Sequence, residues 1–211
     1  MKRLAFVVVL LSLATAPALA IGPDVGFGAH ANFTVSNIPG PSIAGAAQLS
    51  DAYGMGIGGG AHLDVGLIGF GLRFSVDYMH YPVDQDKFRS YYEQIFGAAV
   101  SQMSIEGGGL TIVSATVNGK MPILPLPIVT PYLIGGGGLA WVTSEEATTS
   151  IAGVPGKTFP SVSQSGKWTA SLGAGVDIKV GITIFAEVKY AWIFTDGENS
   201  TFVPITVGVT F

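Results

Sequence analysis

Large apolar side chains fall on every second position of the stretch Thr201 to Phe211: Val203, Ile205, Val207, Val209 and Phe211 share one face, and Pro204, Thr206, Gly208 and Thr210 share the other. Strand side chains alternate between faces with a period of two, so this stretch predicts a strand greasy on one side only. Seven further candidate strands lie upstream. Val25 to Val35 sets Val25, Phe27, Ala29, Ala31, Phe33 and Val35 against His30, Asn32 and Thr34. Tyr53 to Val65 sets Met55, Ile57, Ala61 and Leu63 against glycines at 54, 56, 58 and 60 followed by His62 and Asp64. After a turn near Leu67 to Gly69, Phe70, Leu72, Phe74, Val76 and Tyr78 oppose Arg73, Ser75 and Asp77.

The fourth strand, Leu110 to Met121, puts Val113, Ala115, Val117 and Met121 opposite Ser114, Thr116, Asn118 and Lys120. The fifth, Thr130 to Thr143, is apolar on both faces and contains Gly135 to Gly138, so its outward side stays open. In the sixth, Trp168 to Val180, the residues Trp168, Ala170, Leu172, Ala174, Val176 and Ile178 oppose Thr169, Ser171, Asp177 and Lys179. In the seventh, Ile182 to Phe194, the residues Ile184, Ala186, Val188, Tyr190, Trp192 and Phe194 oppose Glu187 and Lys189, while Phe185 and Ile193 interrupt the pattern.

These segments run about ten to fourteen residues each, against the five or six usual in soluble proteins. A tilted strand needs roughly nine to eleven to cross a bilayer. The connections alternate too. Those near 67–69, 122–129 and 181 are short, and those at 36–52, 84–109 and 144–167 are long, as in transmembrane barrels whose long loops are extracellular. The prediction is an all-β fold, an eight-stranded antiparallel up-and-down transmembrane β-barrel with both termini in the periplasm.

Charge tests this prediction independently. The apolar faces carry no Asp, Glu, Lys or Arg, while the opposite faces carry Asp64, Asp77, Asp177 and Glu187 as acids and Arg73, Lys120, Lys179 and Lys189 as bases. Isolated charges are costly to bury and paired ones much less so, so these eight predict a balanced charge network in a narrow lumen. Turning them outward would cost about 2 to 4 kcal/mol per basic residue near the bilayer midplane, which excludes the inverted register. A lipocalin-like soluble barrel would show that inverted register. With eight strands the lumen holds side chains or one small ligand, which favours a plugged interior over an open one. His30, Asn32, His62 and Asn118 add neutral polar groups to it. Inward glycines in the second strand, with Gly135, Gly137, Gly173 and Gly175, leave room there for long neighbouring side chains.

Composition agrees. The chain has 211 residues, 48% hydrophobic and only 11% charged, with 30 glycines and no cysteine, so neither disulfides nor thiolate metal sites contribute. Lys2 and Arg3, the apolar run Leu4 to Leu13 and Ala18-Leu19-Ala20 read as a secretory signal peptide over 1–20. The barrel domain then occupies 21–211. In the outer connections Asp51, Asp84, Asp86, Glu93, Glu106, Glu145, Glu146, Asp196 and Glu198 face only Lys87, Arg89, Lys157 and Lys167, a balance that gives no support to a nucleic-acid surface.

Aromatic residues cluster at strand ends. Tyr78, Tyr81, Trp168, Tyr190, Trp192 and Phe194 lie toward the outer ends and Phe27, Phe70 and Phe211 toward the periplasmic ends, as two interfacial girdles require. Ser90 to Phe96 brings Tyr91, Tyr92 and Phe96 into one loop as a candidate contact patch for a surface ligand.

With Pro131-Tyr132-Leu133-Ile134-Gly135-Gly136-Gly137-Gly138-Leu139, the final amphipathic strand and its Phe211 in view, the chain resembles the small outer-membrane β-barrel families of Gram-negative bacteria, the OmpX and OmpA barrel types among them. The resemblance covers the whole mature chain. It implies outer-membrane lipids, periplasmic chaperones and the barrel-assembly machinery as partners, the last recognising the final strand. At the third-last position Val209 stands where an aromatic or bulky apolar residue is common. The resemblance fixes architecture more than role, since the fold hosts adhesins, structural barrels, narrow channels and a few lipid-modifying enzymes.

Chemistry is sparse. His30 and His62 point inward near Asp64, yet no compact ligand motif makes them a metal site, so neither metal nor cofactor is expected. His80 sits on the apolar side with no serine placed beside it, and acyl transfer would need a nucleophile, an oriented base and an oxyanion donor. No catalytic residue is expected. The leading function is a structural outer-membrane barrel with acidic loops and a plugged lumen. An adhesin or surface ligand-binding protein is the first alternative and a narrow pore for small solutes the second.

Overall fold

A computed structural model describes residues 24–37, 53–87, 89, 93, 103–124, 126–151, 154–194 and 199–211. Eight long strands make the wall: β1 (Asp24–Asn37), β2 (Gly56–Leu67), β3 (Phe70–Tyr81), β5 (Leu110–Pro122), β6 (Val129–Ser144), β9 (Val162–Lys179), β10 (Thr183–Ile193) and β11 (Ser200–Thr210). Three shorter strands, β4 (Met103–Gly107), β7 (Ala147–Ile151) and β8 (Val154–Phe159), lie in the long connections. The wall closes in the order β1-β11-β10-β9-β6-β5-β3-β2, with each strand antiparallel to its neighbours. Closure satisfies every wall strand on both edges, a requirement where acyl chains offer no hydrogen-bond partner. The seam between β1 and β11 runs from Gly28↔Thr210 to Asn37↔Thr201.

The alternation holds in three dimensions. Val25, Phe27, Phe33, Phe74, Val76, Val117, Leu172, Ile205 and Val207 are exposed outward, whereas Asn32, Thr34, His62, Arg73, Ser75, Asn118, Asp177, Glu187 and Thr206 are buried inward. The contrast is sharpest on β10, where Val188 is 51% exposed and its neighbour Glu187 is 2% exposed.

The structure assigns the fifth wall strand, β6, a side. Thr130, Tyr132, Ile134 and Ala140 face in, and Val129, Leu133 and Trp141 face out. Gly135 and Gly137 therefore belong to the lipid face, a correction to their inward expectation, and Gly136 and Gly138 stand on the luminal face. A Cβ on Gly135 would meet the outward Leu172 side chain at 3.1 Å, and one on Gly136 the luminal Asn118 Oδ1 at 2.9 Å.

Strand ends differ from the alternation in both directions. β2 begins at Gly56, with Tyr53 joined to Val83 only by an isolated bridge. β9 begins at Val162, and its pairing with β6 continues past an irregularity to Ser144↔Val162. Ser163, Gln164 and Ser165 carry no apolar signature in the sequence. The sheet β4-β7-β8 lies within the long connections, and its strands of five or six residues are too short to stand out from loop residues such as Thr148, Thr149 and Ser150. The short turns are tight. Gly69 and Gly181 have φ of 85° and 93°, a region that L side chains rarely adopt.

Candidate functional site

Eight strands enclose a space that side chains alone can fill, and Arg73 occupies its centre. Its Nε and Nη2 donate to Asp64 Oδ1 and Oδ2 at 2.6 and 2.7 Å, and its Nη1 donates to Glu187 Oε1. Asp64 is the cross-strand partner of Arg73, but Glu187 is on β10, four strands from β3 in either direction around the wall. One guanidinium thus bridges the full width of the tube. It also stacks 4.1 Å from the ring centre of Phe185.

The other charges extend this centre. Lys120 Nζ lies 2.7 Å from Asp177 Oδ2 and 3.9 Å from Asp64, and 4.0 Å from the centre of the Tyr132 ring. The Tyr132 hydroxyl donates to Glu187 Oε1 at 2.7 Å, and Lys189 Nζ is 3.4 Å from Glu187 Oε2. His30 Nε2 meets Asp77 Oδ1 at 2.6 Å, with Asn32 Nδ2 donating to the same oxygen at 2.8 Å. His30 and His62 meet through their Nδ1 atoms at 3.2 Å, and His62 Nε2 reaches Thr210 Oγ1 at 2.9 Å. Thr206 donates to Asn32 at 2.7 Å, and Ser171 to Asn118 at 3.1 Å.

Some of these contacts skip a strand by passing over a glycine, whereas Lys120, paired with Ile134, reaches Asp177, paired with Thr130, across β6. Gly60 is opposite both His30 and Asp77, and a Cβ there would lie 2.7 Å from His30 Nε2. The imidazole passes over β2 because nothing stands in its way. Gly28 likewise lets His62 cross β1 to Thr210, and Gly175 lets Tyr132 cross β9 to Glu187. A Cβ on Gly28 or Gly175 would meet the crossing ring at 2.6 Å. This explains why His30 pairs with Asp77, and His62 with His30 and Thr210, and neither with Asp64, the carboxylate expected beside them. Asp64 is engaged by Arg73.

Two further expectations are corrected. Lys179, counted among the luminal charges, is exposed at the last position of β9, where the wall ends and water or headgroups solvate the ammonium. Tyr81, expected in the outer girdle, is fully buried inside the tube. It belongs with Met79, Leu110, Ile112, Ala140 and Ile193 to an apolar layer toward the extracellular mouth, against which Tyr53, Val142 and Phe202 pack. Burial pushes the Tyr53 hydroxyl above the ordinary phenol range. Sequence periodicity misses this layer because inward and outward positions are both apolar there, as in Tyr78-Met79-His80-Tyr81. Phe185 gave a signal only by interrupting its alternation, and Tyr132 lies on the strand whose faces could not be told apart.

Between the charged and apolar layers lies a cavity of about 50 Å³, bordered by Asn32, Asp77 and Lys189 on one side and Met79, Tyr81 and Phe202 on the other. That is room for about three or four water molecules.

On the outer surface Tyr78, Trp168 and Tyr190 are exposed, with the Tyr190 and Trp192 rings 4.7 Å apart. At the opposite end the Phe27 and Phe211 rings lie 5.9 Å apart. His80 faces outward with Nδ1 3.3 Å from its cross-strand partner Thr111 Oγ1. Tyr91, Tyr92 and Phe96, the candidate loop patch, lie outside the described residues.

Residues 6–211 match the family described as outer membrane protein β-barrel domain. No curated protein matches the sequence. Among solved structures, neisserial surface protein A is 16% identical with a TM-score of 0.48, the match covering 90% of this chain and 97% of that one. The attachment invasion locus protein Ail of Yersinia pestis, crystallised with the heparin analogue sucrose octasulfate, is 13% identical with a TM-score of 0.47, covering 90% and 100%. The N-terminal barrel domain of Pseudomonas aeruginosa OprF is 11% identical with a TM-score of 0.44, covering 90% and 99%.

Proposed function

The chain belongs to the outer membrane protein β-barrel domain family, and from that membership we propose that this Gram-negative outer-membrane protein acts as a structural barrel whose lumen is closed to solutes. The observation that carries the reading is Arg73, held by Asp64 on one side and Glu187 on the far wall. Behind it the apolar layer from Met79 to Ile193 forms a second barrier. Export through the 1–20 segment, periplasmic chaperones and the barrel-assembly machinery complete the proposed route to the membrane, with outer-membrane lipids as the standing partner. No catalytic step is assigned.

Single-channel recording in planar bilayers tests the closed lumen. The refolded mature protein is expected to give no reproducible current, whereas Arg73→Ser with Asp177→Asn is expected to give brief openings. A steady ohmic current from the unaltered protein refutes the reading and supports the narrow-pore alternative.

The sheet β4-β7-β8 favours a second reading, surface adhesion. It carries hydroxyl pairs, Ser104 with Ser150 at 2.8 Å and Thr148 with Thr158 at 3.3 Å, and its outer strands β4 and β8 each pair on one edge within it. Rigidly mounted loops commonly carry recognition. Deleting 86–105 is expected to lower binding to host cells or matrix, and unchanged binding by a normally inserted protein rejects that role.

A further inference from the structure

The three short turns share the periplasmic end of the wall, and every one of them is apolar. Ile68 at the β2–β3 turn, Ile123, Leu124, Leu126 and Ile128 between β5 and β6, and Val180 and Ile182 between β9 and β10 are all exposed, Ile68 completely so. None of these turns contains Asp, Glu, Lys or Arg. Among the described residues, the exposed charges beside them are Asp24 and Lys179, both at strand ends.

These side chains continue a surface whose partner is already fixed. Leu67 and Phe70 join Ile68 to the lipid-facing belt, Met121 and Val129 join the second turn to it, and Ile178 and Ile184 join the third. Exposed apolar area of this size on a protein end marks a contact surface and not a solvated rim.

The backbone of the longest turn gives a second, independent indication. Leaving water is costly for amides and carbonyls without partners. Pro122, Pro125 and Pro127 have no amide hydrogen to leave unpaired. Of the remaining groups, Ile123 N donates to Pro131 O at 2.9 Å and Leu126 N to Leu124 O at 3.0 Å. Leu126 O accepts from Thr130 Oγ1 at 3.2 Å, and Ile128 O accepts from Lys179 N at 2.8 Å. In the third turn Val180 N donates to Ile182 O at 2.9 Å. The turns keep much of their polar backbone to themselves and present hydrocarbon.

We propose that the periplasmic turns are a lipid-contacting rim, seated in the boundary between acyl chains and headgroups of the inner leaflet. The lipid belt then does not stop where the strands stop. Asp24 and Lys179 place charges among the headgroups beside the turns, and the bilayer reaches further toward the periplasmic end of the barrel than the strands alone require. A water-exposed rim would have no use for this composition, and a protein partner would not require continuity with the lipid belt on all three turns.

The chain lacks cysteine, so single substitutions Ile68→Cys, Leu124→Cys and Val180→Cys each give a unique spin-label site in the full mature protein. In phosphatidylethanolamine–phosphatidylglycerol vesicles, collisions with dissolved oxygen and with a water-soluble nickel chelate report lipid and water respectively. Labels at Val188→Cys, on the lipid belt, and Asp86→Cys, in an extracellular connection, set the two limits. The three turn labels are expected to show an oxygen-to-nickel ratio several-fold above the Asp86 label and approaching the Val188 one. Nickel access equal to that of the Asp86 label overturns the proposal. Protection from both agents also overturns it, in favour of a protein cover such as a second copy. Heat-modifiable gel migration checks that each labelled barrel has folded.

Discussion

Replacing Arg73 by methionine keeps most of the side-chain volume and removes the cation that spans the tube. Three charge-assisted hydrogen bonds go with it, two to Asp64 and one to Glu187. At about 1.5–3 kcal/mol each the gross loss is about 4.5–9 kcal/mol. Part of this returns, because Lys120 stays 3.9 Å from Asp64 and Lys189 3.4 Å from Glu187. The expected net loss is therefore about 3–5 kcal/mol, the range for removing one partner of a buried pair. Urea titration of the refolded protein in phospholipid vesicles measures it, with Trp141, Trp168 and Trp192 reporting departure from the bilayer. Neutralising the orphaned acids as well, Asp64→Asn and Glu187→Gln, is expected to recover at least half of the loss, since matched neutral groups need no counter-charge. A single-variant loss below about 1 kcal/mol refutes the reasoning, because only a guanidinium already solvated by water would be so cheap to remove.

Two other outcomes follow from the same lumen. Gly175→Val puts a side chain where the Tyr132 ring crosses β9, so the hydroxyl must leave Glu187; the expected cost is about 3 kcal/mol in the same titration. Because both changes act on one contact, Tyr132→Phe should add little on top of it, and full additivity would reject the crossing. Raising salt from about 0.05 to 0.5 M should change the unfolding free energy by less than about 1 kcal/mol, since enclosed pairs are weakly screened; a larger fall would mean that the network communicates with bulk water.

The wall was legible in the sequence because lipid imposes a rule on every second residue. Val203 to Phe211 and Phe70 to Tyr78 need only one face apolar, and periodicity reports that directly. Where the rule lapses, so does the signal. Met79 and Tyr81 look like more lipid-facing grease but close the mouth from within, and β4, β7 and β8 run for only five or six residues each. The charged side chains could be assigned to the lumen, but not their partners. Pairing Tyr132 with Glu187, or His30 with Asp77, depends on register and on which intervening position lacks a Cβ. Lys179 failed for a simpler reason: parity points it inward, but the wall ends beneath it.

The glycine gaps also bear on how the tube is completed. His62 on β2 reaches Thr210 on β11 by passing over β1, so this bond ties together strands from near the two ends of the chain that never touch edge to edge. An open sheet cannot make it, however well its hairpins are formed. The last zipping step therefore delivers more than one row of backbone hydrogen bonds: it sets a latch from inside, and a nearly finished barrel should reopen far more readily than a finished one.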